Sequence, residues 1–226
     1  MATLTRIPAR LSADEPPRWY RASWADYLAA CETAEREQPD HFQIFFNQGR
    51  LFIDMGSEGI EHARFRELLT MIIFAWFSRH PVDDFNCLGG SIIEKPEQRA
   101  ASPDQVLYIG ADCPRWRQGE ARRINLRQWR VPDLVCEVGD TTIATDLDEK
   151  KQIYLGLEIP EYWVIDVRAA RVLAFRLQAE GYYEQCEQSG ALAGLAITLV
   201  AQTLQRLLRD GNGKTALWFN QQLAAS

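Results

Sequence analysis

The sequence predicts an α/β (α+β) chain, a mixed β-sheet core flanked by helices, and three observations carry that expectation. Strand-like and helix-like segments follow one another as helix, strands, helix, strands, helix, strands, helix, an order that suits a mixed sheet covered by helices. The runs HFQIFF and RLFID flank Asn47-Gln48-Gly49, the signature of a β-hairpin. The segment HARFRELLTMIIFAWFSRH sets Phe65, Leu68, Leu69, Ile72, Ile73 and Trp76 at helical spacing, as expected of a helix that packs across a sheet.

In chain order, residues 1–21 are rich in Pro, Arg and small polar types and read as a poorly ordered lead-in. The remainder, 22–226, is expected to form a single domain, because 226 residues exceed the usual ~150 of one domain without reaching two. Ser23 with Asp26 is a capping-box variant that opens a helix running to about Gln38. After the hairpin and the long helix, DFNCLGGSIIEK reads as one or two short strands broken at Gly89-Gly90, and PDQVLYI as another. VPDLVCEV is the next strand, Thr145 to about Leu157 a helix, and EYWVIDV a strand followed by VLAFRL and YYEQCEQ in hairpin style. ITLVAQTLQRLLRDG closes the series as a helix ending near a glycine.

Composition excludes several classes. Hydrophobic residues make up 46% and charged residues 25%, values of a globular protein rather than a disordered one. No apolar run reaches the ~18 residues of a membrane span, and the N-terminus lacks a signal-peptide core, so no membrane association is expected and the cytoplasm is the expected compartment. The five cysteines (31, 87, 113, 136 and 186) are scattered and never in a zinc-ligand spacing; the three histidines (41, 62 and 80) are equally dispersed. A net charge of −6 argues against broad nonspecific affinity for nucleic acid, although it says little about one local cleft.

The residue that demands explanation is Glu137 in VPDLVCEV. Side chains alternate along a strand, so Leu134, Cys136 and Val138 share one apolar face and Asp133, Val135 and Glu137 the other. A buried carboxylate costs several kcal/mol unless bonded, paired or metal-bound, so Glu137 is either on a solvated edge strand or part of a site. Asp104, at the head of another strand-like run, is a second carboxylate that strand pairing can bring beside it, giving the oxygen ligands hard Mg²⁺ requires; otherwise it is a turn residue. Asp133 is a poorer partner, about 13 Å away at ~3.3 Å per residue. In the following helix Lys150 falls within the stripe of Leu147, Ile153, Tyr154 and Leu157, and Lys151 on its margin. Lys150 is therefore either a snorkelling lysine or a cation aimed at the carboxylates. Two carboxylates, a divalent ion and a lysine suit phosphodiester hydrolysis. A glycosidase also uses two carboxylates but has no need of the lysine.

These residues resemble the Uma family of restriction endonucleases, within the PD-(D/E)XK nuclease superfamily. The resemblance rests on Asp104 in SPDQVLYI, Glu137 in PDLVCEV, and the run DLDEKKQIYLGLEIPEYWVID with Lys150, Tyr154 and Glu161-Tyr162-Trp163; weaker similarity spans residues 22 to 208. It implies a restriction-endonuclease-like fold that cuts DNA with Mg²⁺, or Mn²⁺ in its place. Asp104 and Glu137 would be metal ligands, Lys150 the catalytic lysine displaced from the strand onto the helix, and a homodimer the working unit. Gly139 stands where the superfamily's lysine usually sits and is expected to leave room for the Lys150 ammonium. Asp140 departs from the family pattern and either perturbs the site or caps a loop, which motivates an alternative, a catalytically degenerate nuclease fold serving as a binding module. Glu58, Glu61 and His62 are candidates to join the site. The segment Arg115 to Arg130 carries six arginines against one glutamate; Arg115, Arg117, Arg122 and Arg123 are candidate phosphate contacts, with Trp116 and Trp129 available for stacking, unless the loop is merely solvated.

Overall fold

The computed structural model describes residues 5–6, 18–37, 42–54 and 58–225. Most of the expected lead-in lies outside the described residues, as do Gln38 and His41. The chain runs through β1 (Thr5–Arg6), β2 (Arg18–Arg21), α1 (Trp24–Glu37), β3 (Gln43–Asn47), β4 (Arg50–Asp54) and α2 (Ile60–Phe77). It continues with β5 (Phe85–Leu88), β6 (Ile92–Lys95), β7 (Arg99–Ala101), β8 (Gln105–Ile109), β9 (Arg123–Asn125) and β10 (Leu134–Gly139). A helical segment follows, α3 (Ile143–Thr145), a π-helical turn over Asp146–Lys150, and α4 (Lys151–Gly156). β11 (Glu161–Asp166), β12 (Arg171–Leu177), β13 (Tyr183–Gln185), α5 (Ile197–Leu207) and α6 (Asn212–Ala225) complete the chain.

Local signals account for the first elements. Ser23 and Asp26 form the reciprocal cap: the Asp26 carboxylate accepts from the Ser23 N–H at 2.7 Å, and Ser23 Oγ accepts from the Asp26 N–H at 3.2 Å. Gln48 and Gly49 both take positive φ, 45° and 88°, as a two-residue turn of hairpin twist demands. Arg18–Arg21, within the expected lead-in, pairs antiparallel with β4.

Among the described residues the strands form two sheets rather than the one expected, in spatial orders β1-β2-β4-β3-β7-β6-β9 and β13-β12-β11-β10-β8-β5. The second is mixed, since β10 runs parallel to β11 and antiparallel to β8. On one of its faces Leu134, Cys136 and Val138 pack with Trp163 and Ile165 against Phe65, Leu68, Leu69 and Ile72 of α2 and Val200 and Leu204 of α5. On the other, Val135, Tyr162 and Val164 meet Ile153 and Tyr154 of α4 together with Phe45 and Phe52 of the first sheet. Alternation in the hairpin turns Ile44, Phe46, Leu51 and Ile53 the opposite way, onto Tyr27 and Cys31 of α1. The layers are thus α2 with α5, the second sheet, α4 with the first sheet, and α1. Each fully buried side chain of this size contributes ~1.5–3 kcal/mol.

Candidate active site

β10 is flanked on both sides, which removes the solvated-edge reading of Glu137: the side chain is 1% exposed. Its antiparallel register with β8 pairs Leu134 with Leu107, Val135 with Val106 and Cys136 with Gln105. One step further along that register, Asp104 faces Glu137. Asp104 is no solvated turn residue, for it is buried and its Oδ2 accepts the Val138 N–H at 2.7 Å.

Lys150 completes the cluster. Its Nζ lies 3.0 Å from Glu137 Oε2, 2.8 Å from Asp146 Oδ1 and 4.4 Å from the centre of the Phe45 ring. The helical stripe accounts for its inward direction but not for the backbone that delivers it. The helix starts at Ile143, two residues before the expected Thr145, and the Thr145–Asp148 cap does not form; the turn that ends on Lys150 is π-helical. Lys151 lies at the margin, half-buried, with its ammonium 3.6 Å from the Phe175 ring centre.

Asp146 is the residue that the sequence reading missed. It is fully buried, accepts from Thr142 Oγ1 at 2.9 Å through Oδ2, and holds Lys150 from four residues upstream. Gly139 makes its position possible: a Cβ there would stand 2.5 Å from Asp146 Oδ2 and 2.7 Å from Ile143 Cδ1. The room at Gly139 therefore serves Asp146 and Ile143, not the Lys150 ammonium directly as expected. An acid four residues before an inward lysine was the available signal.

The electrostatics follow from burial and pairing. Burial pushes Glu137 up to about 8, against the pull of Lys150 and with the reinforcement of the Asp104 and Asp146 charges. Tyr154 donates its hydroxyl proton to Glu137 Oε1 and is itself raised well above the usual phenol range by burial. Burial opposes the charge on Lys150, yet Glu137 and Asp146 raise it above the usual lysine value, so it stays an ammonium. Asp104 is lowered in spite of burial because His62 bonds to it and Lys150 stands near.

Asp104 and Lys150 line an open pocket of about 280 Å³ together with Gln43, Asp54, Glu58, His62 and Asp140. Glu137 lies behind this wall, in contact with Lys150. Gln43 Nε2 donates to Asp104 Oδ1 at 2.8 Å. His62 bridges two acids, with Nδ1 2.6 Å from Glu58 Oε1 and Nε2 3.3 Å from Asp104 Oδ2. Burial disfavours the charged ring, but the two acids outweigh it and raise His62 to about 9, so both ring nitrogens carry protons at neutral pH. Of the other candidates, Glu61 is exposed and paired with Arg64, away from the cluster. Asp140 stands at the pocket edge, half exposed, with its carboxylate paired to Arg168 at 2.8 Å.

The oxygen-only chemistry of Asp104, Glu137, Glu58 and Asp54 fits a hard divalent cation. Among the described residues no three acidic, histidine or cysteine side chains already stand in a metal-holding group. Asp104 and Glu137 instead spend their oxygens on Gln43, Val138, His62, Lys150 and Tyr154.

The arginine segment divides in two. Arg123 is a correction: its Nε lies 3.0 Å from Glu94 and its Nη1 3.3 Å from Glu35, so its charge ties β9 to β6 and α1 and is not free for phosphate. Arg115, Arg117 and Arg122 are exposed, and among the described residues none has a carboxylate at ion-pair distance. Glu161 of the resemblance motif is structural. Its carboxylate accepts from Trp163 Nε1, Ser189 Oγ and the N–H groups of Gly190 and Ala191, anchoring the loop before α5.

The chain thus combines a helix-flanked mixed α+β fold with two carboxylates and a lysine gathered beside β10. Residues 24–209 match the Uma2 family, described as "Putative restriction endonuclease", and the chain belongs to that family. Among solved structures it is similar to a protein from Anabaena variabilis described as a "putative nuclease belonging to DUF820", with 17% identity, 71% of this chain and 90% of that one covered, and a TM-score of 0.49. No curated protein matches the chain. No helix among the described residues is long and apolar enough to cross a membrane.

Proposed function

We propose that the chain is a Mg²⁺-dependent endonuclease that hydrolyses DNA phosphodiester bonds, with Mn²⁺ as a substitute ion, and the Uma2 membership supports a nuclease in the first place. The observation that carries the finer reading is the burial of Lys150 against Glu137, with Asp104 opposite in the strand register. Asp104 and Glu137 would hold the ion. When bound, a hard divalent cation polarises a phosphoryl oxygen and makes water a better nucleophile. Lys150, held as an ammonium by Asp146, offers N–H donors to the charge that builds on the phosphate and orients the attacking water. His62 and Gln43 fix the Asp104 carboxylate. A homodimer would give one site per strand, as cutting a duplex requires.

Plasmid nicking in Mg²⁺ or Mn²⁺ tests this directly. Glu137→Gln and Lys150→Met should each lower the rate by roughly 10²-fold or more, the scale of a lost preorganised electrostatic group. Nicking by both variants at the parental rate removes the site from consideration. A second reading, a nuclease fold retained for binding, draws on the internal saturation of both carboxylates. It requires that calorimetry detect no Mg²⁺ binding that Glu137→Gln abolishes.

A further inference from the structure

A second pocket, of about 330 Å³, opens on the arginine segment and shares no residue with the acidic one. Its volume falls within the ~300–1,000 Å³ typical of small-molecule sites. Leu88, Ile124 and Trp129 supply apolar walls, Trp116 an indole that is 57% exposed, and Arg115 and Arg122 guanidinium groups. The indole is held in place rather than free: its Nε1 donates to the Glu120 carbonyl at 3.0 Å, and the Glu120 carboxylate, the only acid in the lining, accepts the Arg117 N–H at 3.1 Å. Arg122 sits over the same ring at 5.7 Å.

Arg115 and Arg122, which have no acidic partner among the described residues, call for an anionic ligand on a chain of net charge −6, and the two tryptophans beside them call for a flat one. A nucleotide whose base is unstacked answers both demands, whereas a duplex keeps its bases out of reach of a pocket wall. One edge of the pocket approaches the backbone of Asp104. Leu88 and Ser91 line it from the β5–β6 connection, and in that connection a Cβ on Gly89 would stand 3.6 Å from the Asp104 carbonyl oxygen.

We infer that this pocket binds an unpaired nucleotide of a DNA strand, stacking its base on Trp116 and Trp129 and holding its phosphate with Arg115 and Arg122. The inference rests on the nuclease reading for its choice of polymer but uses none of that site's residues.

The test is binding of a fluorescently labelled single-stranded deoxyoligonucleotide of about ten residues to the full chain in EDTA, so that no cleavage enters the readout. Trp116→Ala and Arg122→Gln should each weaken binding about tenfold or more, with unchanged thermal melting. An abasic strand of the same length should bind as weakly as Trp116→Ala binds the normal one, and a duplex should bind without dependence on Trp116. Equal affinity of parent and both variants, or of abasic and normal strands, overturns the pocket assignment. Retention of Trp116-dependent binding by a chain that never cuts in Mg²⁺ or Mn²⁺ would retire hydrolysis and leave the pocket standing.

Discussion

Glu137 is a carboxylate whose surroundings keep its proton well above the usual range, and that has a consequence for stability. Burial raises it to about 8, so between its ordinary value of 4.5 and 8 the folded chain binds more protons than the unfolded one, and stability falls as pH rises through that window. His62, raised from 6.5 to about 9 against burial by Asp104 and Glu58, acts in the same sense: its contribution is full below 6.5 and lost as pH rises through 9. Asp104 acts oppositely, since its lowered value gives stability above 3.8 that is lost as pH falls. The metal-free chain should therefore melt highest at mildly acidic pH and lose melting temperature steadily from pH 6 to 9 in EDTA. Glu137→Gln should flatten part of that slope, and Mg²⁺ should restore stability most at the alkaline end, where both carboxylates are free to ionise. A melting temperature that climbs from pH 6 to 9 in EDTA contradicts the burial argument.

At the scale of elements, Glu161 shows how one buried carboxylate can hold a strand end and a loop together. Removing it as Glu161→Ala leaves the Trp163 indole, the Ser189 hydroxyl and two backbone N–H groups without their acceptor. The expected loss is about 3–5 kcal/mol in urea denaturation, the range for breaking a buried charged network; a loss under about 1 kcal/mol would mean that water replaces the carboxylate. The elements that the sequence made legible are those governed by contacts close in the chain. The Ser23–Asp26 cap, the Gln48-Gly49 turn and the apolar stripe of α2 depend on neighbours within four residues. β7 and β9 were not legible: each has three residues, includes an arginine, and exists because β6 lies between them. α6 escaped for a related reason, since Gly211 reads as a terminus and the helix gains its place by packing along α2. Within the site, the alternation of β10 pointed to Glu137 and the helical stripe to Lys150, both local patterns. Asp146 and the Glu58–His62–Asp104 chain depend on a π-helical turn and on α2 crossing the sheet, and neither has a sequence period.

For the whole molecule, the question is how a chain of net charge −6 and pI near 5.2 holds a polyanion. Several of its arginines are already paired with carboxylates. Arg64 and Arg66 pair with acids of their own helix region, Arg123 with Glu94 and Glu35, Arg130 with Asp133, and Arg206 with Asp210. Arg115, Arg117 and Arg122 remain as one small cationic patch beside an indole, while the acidic pocket adds Lys150 and His62 only against four carboxylates. Affinity for DNA should then depend on stacking and on few phosphate contacts. Three cations of this patch releasing counterions from a single strand give a slope of about −2 for log K against log salt. Titrations of a labelled single strand between low and moderate salt in EDTA measure it. A slope near −2 that falls toward −1 in Arg122→Gln fits a strand held at this patch, because each phosphate contact removed takes its counterion with it. A slope of about −5 or steeper would require a broader basic face than these three arginines make, and would move the binding surface away from both pockets.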